Sequence, residues 1–133
     1  LVISNLVAIH QKAGIGALSA YCGAISAAAA AGAGIAYLLG GGEYEIEHTI
    51  VNCLAISSGV VCDGAKASCA SKIATAVEAG ILGYNMHIQD QDFQPDDGLV
   101  GDTPEDTISN IGRLGKEGMK STNEEIIKIM VGN

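Results

Sequence analysis

The sequence predicts an all-α protein, a compact bundle of about six helices around a buried Ala/Gly-rich central helix. Three observations carry that expectation. Apolar residues make up 48% of the chain but aromatics only 4%, with no Trp and one Phe. A core of Ala, Ile, Leu, Val and Met suits helices in close contact better than a sandwich of aromatic and β-branched strands. The second is the uncharged stretch Ala13–Gly42, thirty residues dominated by Ala and Gly. The third is the 3.6-residue spacing of apolar positions, punctuated by helix caps, through most of the remainder. The 133 residues suffice for one domain, 1–133, and not comfortably for two.

The first helix is expected over Leu1–Gln11, where Val2, Leu6, Ile9 and Ile3, Val7 recur at helical spacing, with a break at residues 12–16. The uncharged stretch is long enough to span a bilayer. It is poor in Leu and Ile, and only Lys12 marks an end, so a buried helix over Gly23–Leu39, stopped by three glycines, is the favoured reading. Small residues at Gly23, Ala27, Ala31 and Gly34 let another backbone come close. Cys22 then sits at the start of that helix, where free N–H groups and the helix dipole favour negative charge.

A helix over Glu43–Ser58 follows, with acid in its first turn and Ile46, Ile50, Cys53, Leu54 and Ser57 on one face. Cys53 is read as a core residue. Residues 59–65 break the pattern. Lys66–Leu82 is the next helix, with Cys69, Ile73, Ala76, Val77 and Ile81 in a stripe. Residues 84–102 read as an acidic connector, with short extended pieces at Tyr84–Ile88. Asp90, Asp92 and Gln94 alternate as in a calcium loop, but Pro95 stands where such a loop needs Gly and no Glu closes it, so calcium is rejected. Thr103-Pro104-Glu105-Asp106 is a helix start, carried to about Gly118. Ser121 and Glu124 predict a capping box for a last helix, with Ile126, Ile127, Met130 and Val131 inward.

Charge narrows the function. A net charge of -8 and a pI of about 4.6 repel phosphate backbones, so no nucleic acid is expected as a partner. The first ten residues have neither a basic n-region nor a cleavage site, so they are not read as a signal peptide. The start at Leu1 predicts a fragment of a longer protein. Four cysteines without an export signal argue for reduced thiols in the cytoplasm rather than for a disulfide scaffold. Cys22 and Cys69 fall at predicted helix starts and Cys62 on the loop before the second of them, and such positions can aim several sulfurs at one centre. Cys62-x6-Cys69 is too wide for a zinc knuckle. A soft-metal cluster on three thiolates and plain burial of small hydrophobic cysteines both remain. His10, His48 and His87 are scattered, and nothing in the spacing ties any of them to a cysteine.

Three blocks carry a resemblance. They are Y-C-G-A-I-S-A-A-A-A-A-G-A-G-I-A-Y-L-L-G-G from Tyr21, V-C-D-G-A-K-A-S-C-A-S-K from Val61, and I-S-N-I-G-R-L-G-K-E-G-M-K from Ile108. In this order and approximate spacing they resemble the C-terminal part of the serine dehydratase-like family that includes the L-cysteine desulfidases. The resemblance covers essentially the whole chain; the family's longer N-terminal part has no counterpart in it. It implies that Cys22, Cys62 and Cys69 ligate a [4Fe–4S] cluster and that Cys53 does not. It implies β-elimination from a small L-amino acid, giving pyruvate and ammonia from serine, or these with sulfide from cysteine, without a pyridoxal cofactor. Within the second block, Lys66 is expected to hold a substrate carboxylate and Asp63 to support it; the plainer alternative makes Asp63 a helix cap and Lys66 a solvated residue. Ser57, Ser58 and Ser68 are candidates for hydrogen bonds to cluster sulfurs. Expected partners are the amino-acid substrate and either a second copy or the rest of the longer protein, and no membrane. The competing function is a non-catalytic helical interaction module with buried cysteines.

Overall fold

The computed structural model describes residues 1–132. They form six α-helices: α1 (Val2–Ile15), α2 (Gly23–Leu38), α3 (Glu43–Ser57), α4 (Ser68–Ile88), α5 (Pro104–Arg113) and α6 (Lys120–Val131). A single turn of π-helix, Leu114–Gly118, joins α5 to α6. The all-α expectation holds, and α2 is the central helix. Its Ile25, Ser26, Ala28, Ala29, Ala30, Gly32, Ala33 and Ala36 are buried, and α1, α3 and α4 pack around it. Among the described residues no helix is long and apolar enough to cross a membrane.

α2 is buried on several sides because it carries almost no side-chain volume. A β-carbon on Gly80 of α4 would lie 3.0 Å from the Ala28 carbonyl oxygen. One on Gly83 would lie 3.0 Å from the Thr49 oxygen and 3.1 Å from the Cys53 nitrogen of α3. Backbones in van der Waals contact replace the missing aromatic bulk. Gly83→Ala is therefore expected to destabilise despite its better helix propensity. Overpacking costs about 1–3 kcal/mol, against a propensity gain of about 1 kcal/mol. Gly23→Ala, with open space around it, should not lower the melting temperature; a calorimetric comparison of the two variants checks this.

Four boundaries differ from expectation, each for a tertiary reason. α1 does not break at Lys12 but runs to Ile15, and Gly14 lets its last turn lie against the backbone of Gly112. α4 begins at Ser68 rather than Lys66 and continues to Ile88, so Tyr84–Ile88 is helix and not extended. Its packing on α2 and α3 outweighs the weak propensity of Gly80 and Gly83. Ser121 caps nothing: α6 starts at Lys120 and Ser121 lies inside it. In α6 only Ile126 packs on the core, while Ile127, Met130 and Val131 are exposed. The start of α5 is as read. Thr103 Oγ1 accepts the Asp106 N–H at 3.1 Å, and Asp106 Oδ2 accepts the Thr103 N–H at 3.1 Å.

Candidate functional site

The loop before α2 and the loop after α3 meet in a short antiparallel pairing. The Cys22 N–H donates to the Val60 carbonyl at 3.2 Å, and the Cys62 N–H to the Ala20 carbonyl at 2.6 Å, with Tyr21 opposite Val61. Buried backbone groups need partners, and this exchange supplies them while bringing Cys22 and Cys62 side by side. Cys22 is the N-cap residue of α2. Cys69 is the second residue of α4; its sulfur accepts the Lys66 backbone N–H at 3.5 Å and donates to the Gly64 carbonyl at 3.3 Å. Gly64 makes the turn between Cys62 and Cys69 with a φ of 85°, where a side chain would be strained.

The structure thus brings Cys22, Cys62 and Cys69 to the wall of one cavity of about 570 Å³. Ala24, Ala27, Ala28 and Ala31 of α2 and Ile73 and Val77 of α4 complete an apolar lining. Cys53 stands apart. It is fully buried in α3, and burial pushes its thiol up to about 11, the Ser57 hydroxyl only partly offsetting this. A thiol held protonated at neutral pH is a poor metal ligand.

Asp63 and Lys66 lie between the cysteines without capping α4, whose N-cap residue is Ala67. Asp63 binds Lys72 instead: Nζ donates to its Oδ1 at 2.5 Å and to the Val61 carbonyl at 3.0 Å. The Asp63 hydrogen bond holds the ammonium above the usual lysine range, with Cys69 and Cys22 adding in the same direction, and the Lys72 hydrogen bond holds the Asp63 carboxyl below its own. Lys72 is the residue that reading the sequence missed. It lies three positions after Cys69 on a helix, hence on nearly the same face, and that spacing was the available signal. Lys66 is exposed, and its backbone N–H is what meets the Cys69 sulfur. Ser57 donates back to the Cys53 carbonyl at 2.5 Å rather than towards the cavity. Ser57 and Ser68 line a separate cavity of about 330 Å³ together with Lys72.

The family model described as serine dehydratase alpha chain matches residues 1–128. The chain belongs to that family. It is 63% identical over 131 residues to a UPF0597 protein of Desulfitobacterium hafniense, covering 98% of this chain and 30% of that one. It is 57% identical to a UPF0597 protein of Lachnoclostridium phytofermentans (98% of this chain, 31% of that one) and 53% to one of Finegoldia magna (98% and 31%). The chain therefore spans about 30% of the length of these relatives. No solved structure matches it.

As a member of the serine dehydratase alpha chain family, the chain can be tested against an iron–sulfur cofactor. Its donor set fits one. Three thiols face a common apolar cavity, two of them beside exposed helix N-termini, and the fourth is turned away. One tetrahedral zinc ion fits less well, because the Cys62-x6-Cys69 spacing is wider than that of the close cysteine pairs of structural zinc sites.

Proposed function

We propose that this chain supplies the cluster-binding part of an iron–sulfur-dependent lyase that eliminates the β-substituent of a small L-amino acid, L-cysteine or L-serine. The observation that carries this reading is the convergence of Cys22, Cys62 and Cys69, and not Cys53, on one cavity. These three cysteines would hold a [4Fe–4S] cluster. A cluster held there would supply Lewis acidity for the elimination.

The chain's own residues do the rest of the holding. The alanine face of α2 and Ile73 and Val77 of α4 give the thiolates an apolar wall. Lys72, fixed by Asp63, straps the Cys62 loop onto α4 through the Val61 carbonyl. Lys66, exposed beside Cys69, holds the substrate carboxylate at the rim. A base from elsewhere in the longer protein takes the Cα proton. The β-substituent leaves, and hydrolysis of the aminoacrylate gives pyruvate and ammonia. Sulfide is the leaving group for cysteine, water for serine. The protein would act in the cytoplasm, joined to the remainder of its chain or to a second copy.

The test is pyruvate release by the full-length protein, reconstituted anaerobically and supplied with L-cysteine or L-serine. Turnover of one of them is the expected result; a cluster-loaded protein that turns over neither overturns the reading. Lys72→Met should lower iron retained after desalting, with Lys72→Arg restoring it, because the strap needs a charged donor. Equal retention in all three proteins would remove Lys72 from the site.

A further inference from the structure

A second group of ligand-type side chains lies away from the cysteine cavity and shares no residue with it. His48 of α3, His87 near the end of α4 and Asp92 of the following loop place one donor atom each within 4.8 Å of one another. His87 Nδ1 is 2.8 Å from Asp92 Oδ2 and His48 Nδ1 is 3.2 Å from the same oxygen. The two imidazoles stack at 4.9 Å with 14° between their planes, and Tyr44 covers both, at 4.3 and 5.1 Å.

Hydrogen bonding accounts for only part of this. His87 Nδ1 is hydrogen-bonded to the carboxylate. His48 Nδ1, although 3.2 Å from that oxygen, is buried without a hydrogen-bond partner. Two ring nitrogens lie within reach of one carboxylate oxygen, and one of them has no hydrogen-bond partner; a shared cation, reached by a small turn of the stacked rings, would satisfy all three donors. Zn–N and Zn–O bonds of about 2.0–2.2 Å place tetrahedral donors roughly 3.3 Å apart, close to the 3.2 Å between His48 Nδ1 and Asp92 Oδ2. The carboxylate is also held as metal-binding carboxylates usually are. Its other oxygen accepts from Asn52 Nδ2 at 2.8 Å. Asn52 is fully buried and is fixed by the Gly83 carbonyl at 3.0 Å and the Phe93 N–H at 3.1 Å.

We propose that His48, His87 and Asp92 form a site for a divalent first-row transition ion of the zinc class, bound through both Nδ1 atoms and Asp92 Oδ2. Two imidazoles and one carboxylate suit such an ion better than calcium or magnesium, which prefer all-oxygen shells. Three protein ligands leave a fourth position. His48 borders a cleft of about 210 Å³ formed with Phe93, Gln94, Pro95 and Thr103, the nearest space from which water or a small anion could fill that position. The ion would clasp the acidic loop to α3 and α4.

The experiment keeps the cysteines out of the reading. In the Cys22→Ser/Cys62→Ser/Cys69→Ser protein, titration with Co2+ should give about one ion per chain, as expected for one mononuclear site. It should show d–d absorption without a thiolate charge-transfer band, and Zn2+ should displace it. His48→Ala and Asp92→Asn, each checked for folding by circular dichroism, should weaken binding more than about tenfold. Zn2+ added to the wild-type protein should shift the ring NMR signals of His48 and His87 together and leave His10 unmoved. No Co2+ uptake by the folded triple variant, affinity unchanged in both ligand variants, or His48 and His87 signals indifferent to Zn2+ would each overturn the site.

Discussion

After strictly anaerobic reconstitution, the protein is expected to hold about four irons and about four acid-labile sulfides per chain. Cys22→Ser, Cys62→Ser and Cys69→Ser are each expected to lose nearly all of both. A cluster with three protein thiolates has no spare ligand, so removing one leaves two anchors and a second iron open to solvent. Cys53→Ser is the control. Its thiol faces the core and stays protonated at neutral pH, so iron content should be retained even if the variant melts lower. Iron and sulfide assays, run beside circular dichroism to confirm folding, check the whole series. Loss confined to Cys53→Ser would sink the ligand set. No iron in any folded protein, wild type included, would favour the interaction-module alternative. The ligand experiment also separates from the zinc-class site, because His48, His87 and Asp92 remain intact in every cysteine variant.

Much of this site was legible because cysteines at helix starts keep their meaning without tertiary detail. Cys22 at the head of α2 and Cys69 in the first turn of α4 follow from local periodicity and from the glycines that interrupt it. The pairing of Ala20–Cys22 with Val60–Cys62 was not legible. It joins two loops whose residues carry no strand signal, and only the folded bundle puts them side by side. The Asp63–Lys72 contact was hidden because Lys66 lies nearer in sequence, whereas helix geometry favours the residue three after Cys69. The His48–His87–Asp92 group was missed for a related reason. Reading Tyr84–Ile88 as extended removed His87 from the face that α4 turns to α3. Gly80 and Gly83 are weak helix formers, and close packing against α2 and α3 carries the helix on to Ile88. The last helix stands where it was expected, but local signals misread its Ser121 cap and its inward face, because its apolar residues lack the packed neighbours that would make their spacing decisive.

The largest loss of stability is expected from Leu54→Ala. Leu54 is fully buried in the core that also holds Ile25, Ala28 and Cys53. Truncating a buried Leu to Ala costs about 2–5 kcal/mol, and the value depends on how far the surroundings collapse into the cavity. Here they have little room to do so. The approach of α4 to α2 is already set by backbone at Gly80 and Ala28, and its approach to α3 by Gly83 and the Thr49 carbonyl. Helices in contact through glycine cannot slide closer to fill a void, so most of the cavity should persist and the cost should fall in the upper half of that range. An Ala-rich wall also has few long side chains that could swing into the gap. Chemical denaturation checks this, with the slope in denaturant expected to stay unchanged while the midpoint falls. A cost well under about 2 kcal/mol would mean that the helices do move, and that the glycine contacts do not fix the spacing of the bundle on which the cysteine cavity depends.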